Sequence, residues 1–127
     1  LGRAAAPTGP AKGPGAGPAH RDYTPAGAVV RATRPALDSD ACDHFTVGTG
    51  GQADTNTIYR LGAERMGKPL EVEHGPDRPG DLMASALDSS KIQRVLGWQP
   101  DVSLEEGIAR TVDWFLAQER SQAGTKR

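Results

Sequence analysis

The strongest periodicity lies late in the chain. Leu104, Ile108, Val112 and Phe115 recur at helical spacing with Leu116 beside them, while Glu105, Arg110, Asp113 and Gln118 take the opposite side. Ser103-Leu104-Glu105-Glu106 is a capping box that opens this helix. A shorter helix is predicted over 89–96, with Asp88 as N-cap, a buried face of Ile92, Val95 and Leu96, and Gly97 as its stop. Another begins after Asp54 or Thr55, turns Ile58, Leu61 and Met66 inward and ends at Gly67. Over 26–37, Val29, Val30, Ala32, Ala36 and Leu37 share a face, although Pro35 removes a donor from the last turn. Short strands are predicted at 45–47, 70–74 and 82–87, and Arg21 to Thr24 reads as a strand end. Trp98 and Trp114 are expected as core anchors. The pattern is that of an α/β (α+β) unit: short strands with three to four helices.

Composition narrows this picture. The chain has 127 residues, enough for one domain. Residues 1–20 are almost all Ala, Gly and Pro, and so are expected to be disordered for lack of apolar surface to bury. The polar residues 120–127 are expected to form a flexible tail. That leaves 21–119 as the folded domain. A formal net charge of −1, with Arg and Lys scattered, gives no field that favours nucleic acid or an acidic membrane. A single cysteine, Cys42, excludes an internal disulfide and a cysteine zinc cluster, and no metal site is expected. No apolar run approaches membrane-span length, and the opening Leu1-Gly2-Arg3 has neither a methionine nor a signal core. A soluble, cytoplasmic chain that is not a complete natural start is the expectation.

Two stretches carry candidate chemistry. Arg78-Pro79-Gly80-Asp81 sets a guanidinium and a carboxylate three residues apart on a turn. A guanidinium fork suits a phosphate and a carboxylate suits sugar hydroxyls; the same residues also fit a surface loop whose charges pair with each other. Gly48-Thr49-Gly50-Gly51-Gln52-Ala53 satisfies G-x-G-x-x-A between a predicted strand and a helix, the outline of a dinucleotide pyrophosphate cradle. Against that reading, the strand offers only Phe45 and Val47, too little for a central parallel strand, and no further strand–helix repeats follow. A plain strand-to-helix turn is the default.

Six or more weak motifs occur in register: Arg21-Asp22-Tyr23, Val29-Val30-Arg31-Ala32, Phe45-Thr46-Val47-Gly48-Thr49-Gly50, Arg78-Pro79-Gly80-Asp81, Ala86-Leu87-Asp88-Ser89-Ser90-Lys91, Leu96-Gly97-Trp98-Gln99-Pro100 and Ser103-Leu104-Glu105-Glu106-Gly107-Ile108. In this order the chain, from about Arg21 to Leu116, resembles the C-terminal part of the extended short-chain dehydrogenase/reductases. These are the NAD-dependent nucleotide-sugar epimerases and dehydratases, UDP-glucose 4-epimerase among them.

The resemblance implies the substrate-binding portion of that fold, lacking the Rossmann half. It implies a nucleotide-diphosphate sugar (a UDP- or dTDP-sugar) as ligand and NAD as cofactor of the parent family, with no cofactor expected on this part alone. Arg21 and Arg78 would then grip the diphosphate, Asp81 would lie near the ribose, and Gly48-Thr49-Gly50 would belong to the substrate half. No catalytic residue is expected: a Y-x-x-x-K pair is missing, since neither Tyr23 nor Tyr59 has a lysine four residues on, and the family's NAD-binding glycine motif is missing too. Thr24-Pro25-Ala26-Gly27-Ala28 departs from the usual run, and Ser85 stands where galactose-type epimerases often carry tyrosine. The resulting expectation is an epimerase/dehydratase fragment, inactive by itself, associating with a missing Rossmann half. A non-catalytic nucleotide-diphosphate-binding module and an inactive truncated remnant are the alternatives.

Overall fold

The computed structural model describes residues 11–13, 19–69, 71–76 and 79–124. Its elements run β1 (Ala11–Gly13), β2 (His20–Arg21), α1 (Ala26–Leu37), β3 (Ala53–Asp54), α2 (Thr55–Met66), β4 (Val72–His74), β5 (Ala84–Ser85), α3 (Ser90–Leu96) and α4 (Leu104–Gly124). The architecture is α/β, with four helices around two small sheets among the described residues. In one sheet β2 lies at the centre, antiparallel to β3 and parallel to β5. In the other, β1 pairs in parallel with β4. Ala11–Gly13 is thus a paired strand inside the leader expected to be disordered, while 1–10 and 14–18 lie outside the described residues, as does Leu70 of the predicted strand 70–74.

The core is built on small residues. Ala28 and Ala32, one turn apart, are buried against Ile92 and Trp98, with Phe45, Val47 and Leu96 packed around them. Without bulk at those positions α1 comes close enough for the Trp98 indole N–H to donate to the Ala28 carbonyl at 3.2 Å. Of the face expected for α1, Ala32 is buried, but Val30 and Leu37 are 70 % and 80 % exposed and Val29 is also exposed. Periodicity fixed the helix bounds, but it did not show which stripe meets a partner. Pro35 stays inside the helix, in its final turn, and Asp38 N–H still closes the end on Arg34 O.

The caps follow the local sequence closely. Asp54 accepts from Thr57 N–H at 2.6 Å, Ser103 accepts from Glu106 N–H at 3.2 Å, and Gly67 and Gly97 end α2 and α3 in the left-handed region. Ser89 rather than Asp88 is the N-cap position of α3, and Asp88 instead accepts from Ser90 N–H at 2.9 Å. α4 continues to Gly124, past Glu119 where polar composition predicts fraying. It packs on α2, where Arg65 grips Asp113 through Nε at 2.9 Å and Nη2 at 2.5 Å.

Three further expectations change. Residues 45–47 form no strand, because no described segment offers them a ladder; side chains hold the stretch instead, with Lys91 Nζ 5.4 Å above the Phe45 ring and 2.7 Å from Asp43. The predicted strand 82–87 shrinks to Ala84–Ser85, since only these residues pair with β2, and Leu82, Met83 and Leu87 are exposed. Val95, Trp114 and Phe115 also face outward: Trp98 is the core tryptophan, and Trp114 instead stacks edge-on against Phe115 with centroids 4.9 Å apart.

This contrast is measurable. Trp98→Ala should destabilise the chain by about 3–5 kcal/mol in equilibrium urea unfolding, through loss of packing and a cavity. Trp114→Ala should cost within about 0.5 kcal/mol, as expected of a surface site.

Candidate functional site

The site begins with strand pairing. β2 and β5 lie side by side with His20 opposite Ala84 and Arg21 opposite Ser85, and His20 N–H donates to Met83 O at 2.9 Å. This parallel pairing carries the segment after Gly80, a glycine with φ of 84°, alongside β2. Arg21 Nη2 therefore lies 3.6 Å from Asp81 Oδ1, while Arg21 Nη1 donates to His20 O at 2.9 Å. Both side chains remain part-exposed, so the pair adds little to stability but presents a cation and an acceptor on one surface. Of the three expected ligand residues, Arg21 and Asp81 are thus brought together, and Arg78 lies outside the described residues.

Behind Arg21, the next residue works the other way. The Asp22 carboxylate collects donors from three segments. Oδ1 accepts from Thr49 N–H at 3.1 Å, Thr49 hydroxyl at 2.5 Å and Thr24 hydroxyl at 3.3 Å. Oδ2 accepts from Gly50 N–H at 2.9 Å and Leu87 N–H at 3.3 Å. The Thr49 hydroxyl in turn accepts from Gly51 N–H at 3.0 Å. Burial works to raise the Asp22 pKa, but the Thr49 hydroxyl and the amides of Gly50, Thr49 and Leu87 outweigh it and hold the group below its ordinary 3.8.

Gly48 makes this approach possible. A Cβ there would lie 2.5 Å from Leu87 Cβ and 2.8 Å from Asp22 Oδ2. The glycine is required by close approach, not by backbone conformation. Neither Asp22 nor Gly48 was given a role by their residue types; the signal available was their place in Arg21-Asp22-Tyr23 and in the glycine run.

The same contacts decide the dinucleotide outline at 48–53. The Thr49 and Gly50 amides, which a pyrophosphate would need, are taken by Asp22, and Asp54 caps the start of α2. The residues present do not fit an NAD pyrophosphate. Among the described residues there is also no group of three or more His, Cys, Asp or Glu able to hold a metal ion, and no helix long and apolar enough to cross a membrane.

A separate, largely apolar cavity of about 580 Å³ lies between the start of α1 and α4, lined by Tyr23, Pro25, Arg31, Ile108 and Trp114 among others. Gly107 narrows it, since a Cβ there would meet Pro25 Cγ at 3.1 Å. Arg31 is tied to Asp101 at its rim.

The fold is that of part of the extended short-chain dehydrogenase/reductase epimerases. Residues 3–111 match the family described as GDP-mannose 4,6 dehydratase, and the chain belongs to that family of nucleotide-sugar epimerases and dehydratases. It is 46 % identical over 88 residues to UDP-glucose 4-epimerase of Mycolicibacterium smegmatis, matching 69 % of this chain and 27 % of that protein. The UDP-glucose 4-epimerase of Thermotoga maritima, solved with UDP-glucose, superposes with a TM-score of 0.80 at 37 % identity, covering 86 % of this chain and 35 % of that one. The Thermus thermophilus UDP-glucose 4-epimerase in complex with NAD gives 0.72 at 35 % identity, over 82 % and 34 %. The chain therefore spans about a third of the length of these relatives.

Two outcomes follow from the Asp22 contacts. Gly48→Ala should destabilise the chain by about 1–3 kcal/mol in urea unfolding, because Leu87 or Asp22 must move. A carboxyl whose folded pKa is depressed contributes stability above its unfolded value, and this is lost as pH falls through the folded value. Urea-unfolding stability should therefore drop more steeply below about pH 4 in the parent chain than in Asp22→Asn, which has already lost that contribution.

Proposed function

We propose that this chain is the nucleotide-diphosphate-sugar-binding part, C-terminal in the parent protein, of an NAD-dependent epimerase or dehydratase of cytoplasmic, UDP-glucose 4-epimerase-like type. The observation that carries the reading is the 3.6 Å approach of Arg21 to Asp81, residues far apart in sequence and joined by the β2–β5 pairing. The Arg21 guanidinium would hold a phosphate of the diphosphate through charge-assisted hydrogen bonds. Asp81, acceptor only, would take a ribose hydroxyl, exchanging its contact with Arg21 for one with the ligand. Arg78, three residues before Asp81, would supply the second cation that a diphosphate calls for. The similarity to an epimerase solved with UDP-glucose supports a UDP-sugar over other anions.

On this reading the chain binds and orients, and the redox step belongs to residues elsewhere in the parent. Binding energy from the remote nucleotide would place the reacting sugar carbon. The oxidation and return of hydride would be supplied by NAD bound to the other part, for which the glycine turn here is not built. The exposed apolar side chains Val30, Leu37, Trp114 and Phe115 support docking against that remainder.

Calorimetry tests the reading. The chain should bind UDP, and Arg21→Ala or Arg78→Ala should each weaken binding by about 1.5–3 kcal/mol. Equal heats for the parent and both variants would remove the two arginines from any site. With UDP-glucose and NAD the chain should show no turnover, and measurable epimerisation would overturn the division of labour.

A further inference from the structure

We propose that Asp22 is a positioning residue for this site: its ionised carboxylate fixes, from behind, the two loops that set where Arg21 and Asp81 meet. The inference deepens the nucleotide-binding reading and rests on it. Arg21 is the last residue of β2 and Asp22 follows it, and the two side chains make separate sets of contacts. Arg21 faces Asp81; Asp22 faces the 48–50 turn and the 86–87 segment. Leu87, held by Asp22, lies two residues beyond Ser85, which is in register with Arg21. One carboxylate therefore anchors the far end of β5 to β2, where the ladder itself contributes only two residue pairs. Asp81 enters the same strand from its other end. Release of the Leu87 anchor leaves that short ladder free to shift, and with it the distance between Arg21 and Asp81.

The chemistry requires an acceptor-only group. Five donors converge on the two oxygens, three on Oδ1 and two on Oδ2. The Thr49 hydroxyl donates to Oδ1 while accepting Gly51 N–H, so it links the carboxylate to the rest of the turn. Asparagine has the same shape, yet in either orientation it aims an N–H at a backbone N–H, of Thr49 or of Gly50 and Leu87. A protonated carboxyl gives up acceptor capacity at one of these two oxygens. Gly48 has no side chain that could fill the space if the carboxylate left.

The test uses the full chain with UDP as the probe, combining calorimetry with amide hydrogen exchange. In Asp22→Asn, exchange protection at Thr49, Gly50 and Leu87 should fall about tenfold or more while Ile92 and the α2 amides keep theirs, and UDP affinity should fall about tenfold. Thr49→Ala should share part of both losses, and Thr49→Ser, which keeps the hydroxyl, should restore them. Unchanged protection in Asp22→Asn overturns the clamp. Lost protection with unchanged UDP affinity shows a purely structural contact and overturns the positioning role. If the parent chain binds no UDP, the nucleotide reading fails and the positioning role falls with it, while the exchange result still decides whether the clamp exists. Global loss of protection in Asp22→Asn shifts the decision to the Thr49 pair, where equal behaviour of Ala and Ser overturns the proposal.

Discussion

A single ionised carboxylate holds this part of the molecule together. Asp22 joins the end of β2 to the 48–50 turn and to the segment leaving β5, three pieces of chain separated by 27 and 65 positions. Strand pairing alone would not do it, because β2 contributes only His20 and Arg21 to either neighbour. Short ladders fix register weakly. Here register is fixed by side-chain acceptors placed at the strand end, and by a glycine that lets Leu87 and Asp22 come together.

The rest of the fold follows a similar economy of contact. Among the described residues its core cluster is a patch of two alanines, an isoleucine and a tryptophan, with three partly buried neighbours. Peripheral elements are tied down by charge: Arg65 to Asp113 between α2 and α4, Arg31 to Asp101 at the start of the last helix, Lys91 to Asp43 beside the 45–47 stretch. These pairs are exposed, and each contributes modestly. Much apolar surface stays open, on the outer stripe of α1 and around the Trp114–Phe115 pair. The chain spans about a third of the relatives it matches.

The glycine run at 48–51 shows how one local pattern serves two chemistries. A pyrophosphate cradle and a carboxylate clamp both need glycines and free backbone N–H groups that converge on an anion. Here the anion is internal. Thr49 and Gly50 spend their amides on Asp22, while Arg21 pairs with Asp81.

Apart from the N-cap of α3 and the end of α4, helix caps and stops were legible in the sequence, because they depend on neighbours within a turn: Asp54, Ser103, Gly67 and Gly97 act through backbone groups three or four residues away. That Arg21 and Asp81 lie side by side followed from the resemblance and not from any local pattern. What the sequence left open was every question of facing. Whether α1 buries its valines or its alanines, whether Trp98 or Trp114 enters the core, and whether 45–47 finds a ladder all depend on which surface another element brings. The clamp at Asp22 was hidden for the same reason: four of its five donors come from two distant segments and form no pattern along the chain. Only the folded arrangement, in which a missing side chain at Gly48 makes room for a carboxylate, brings them to one point.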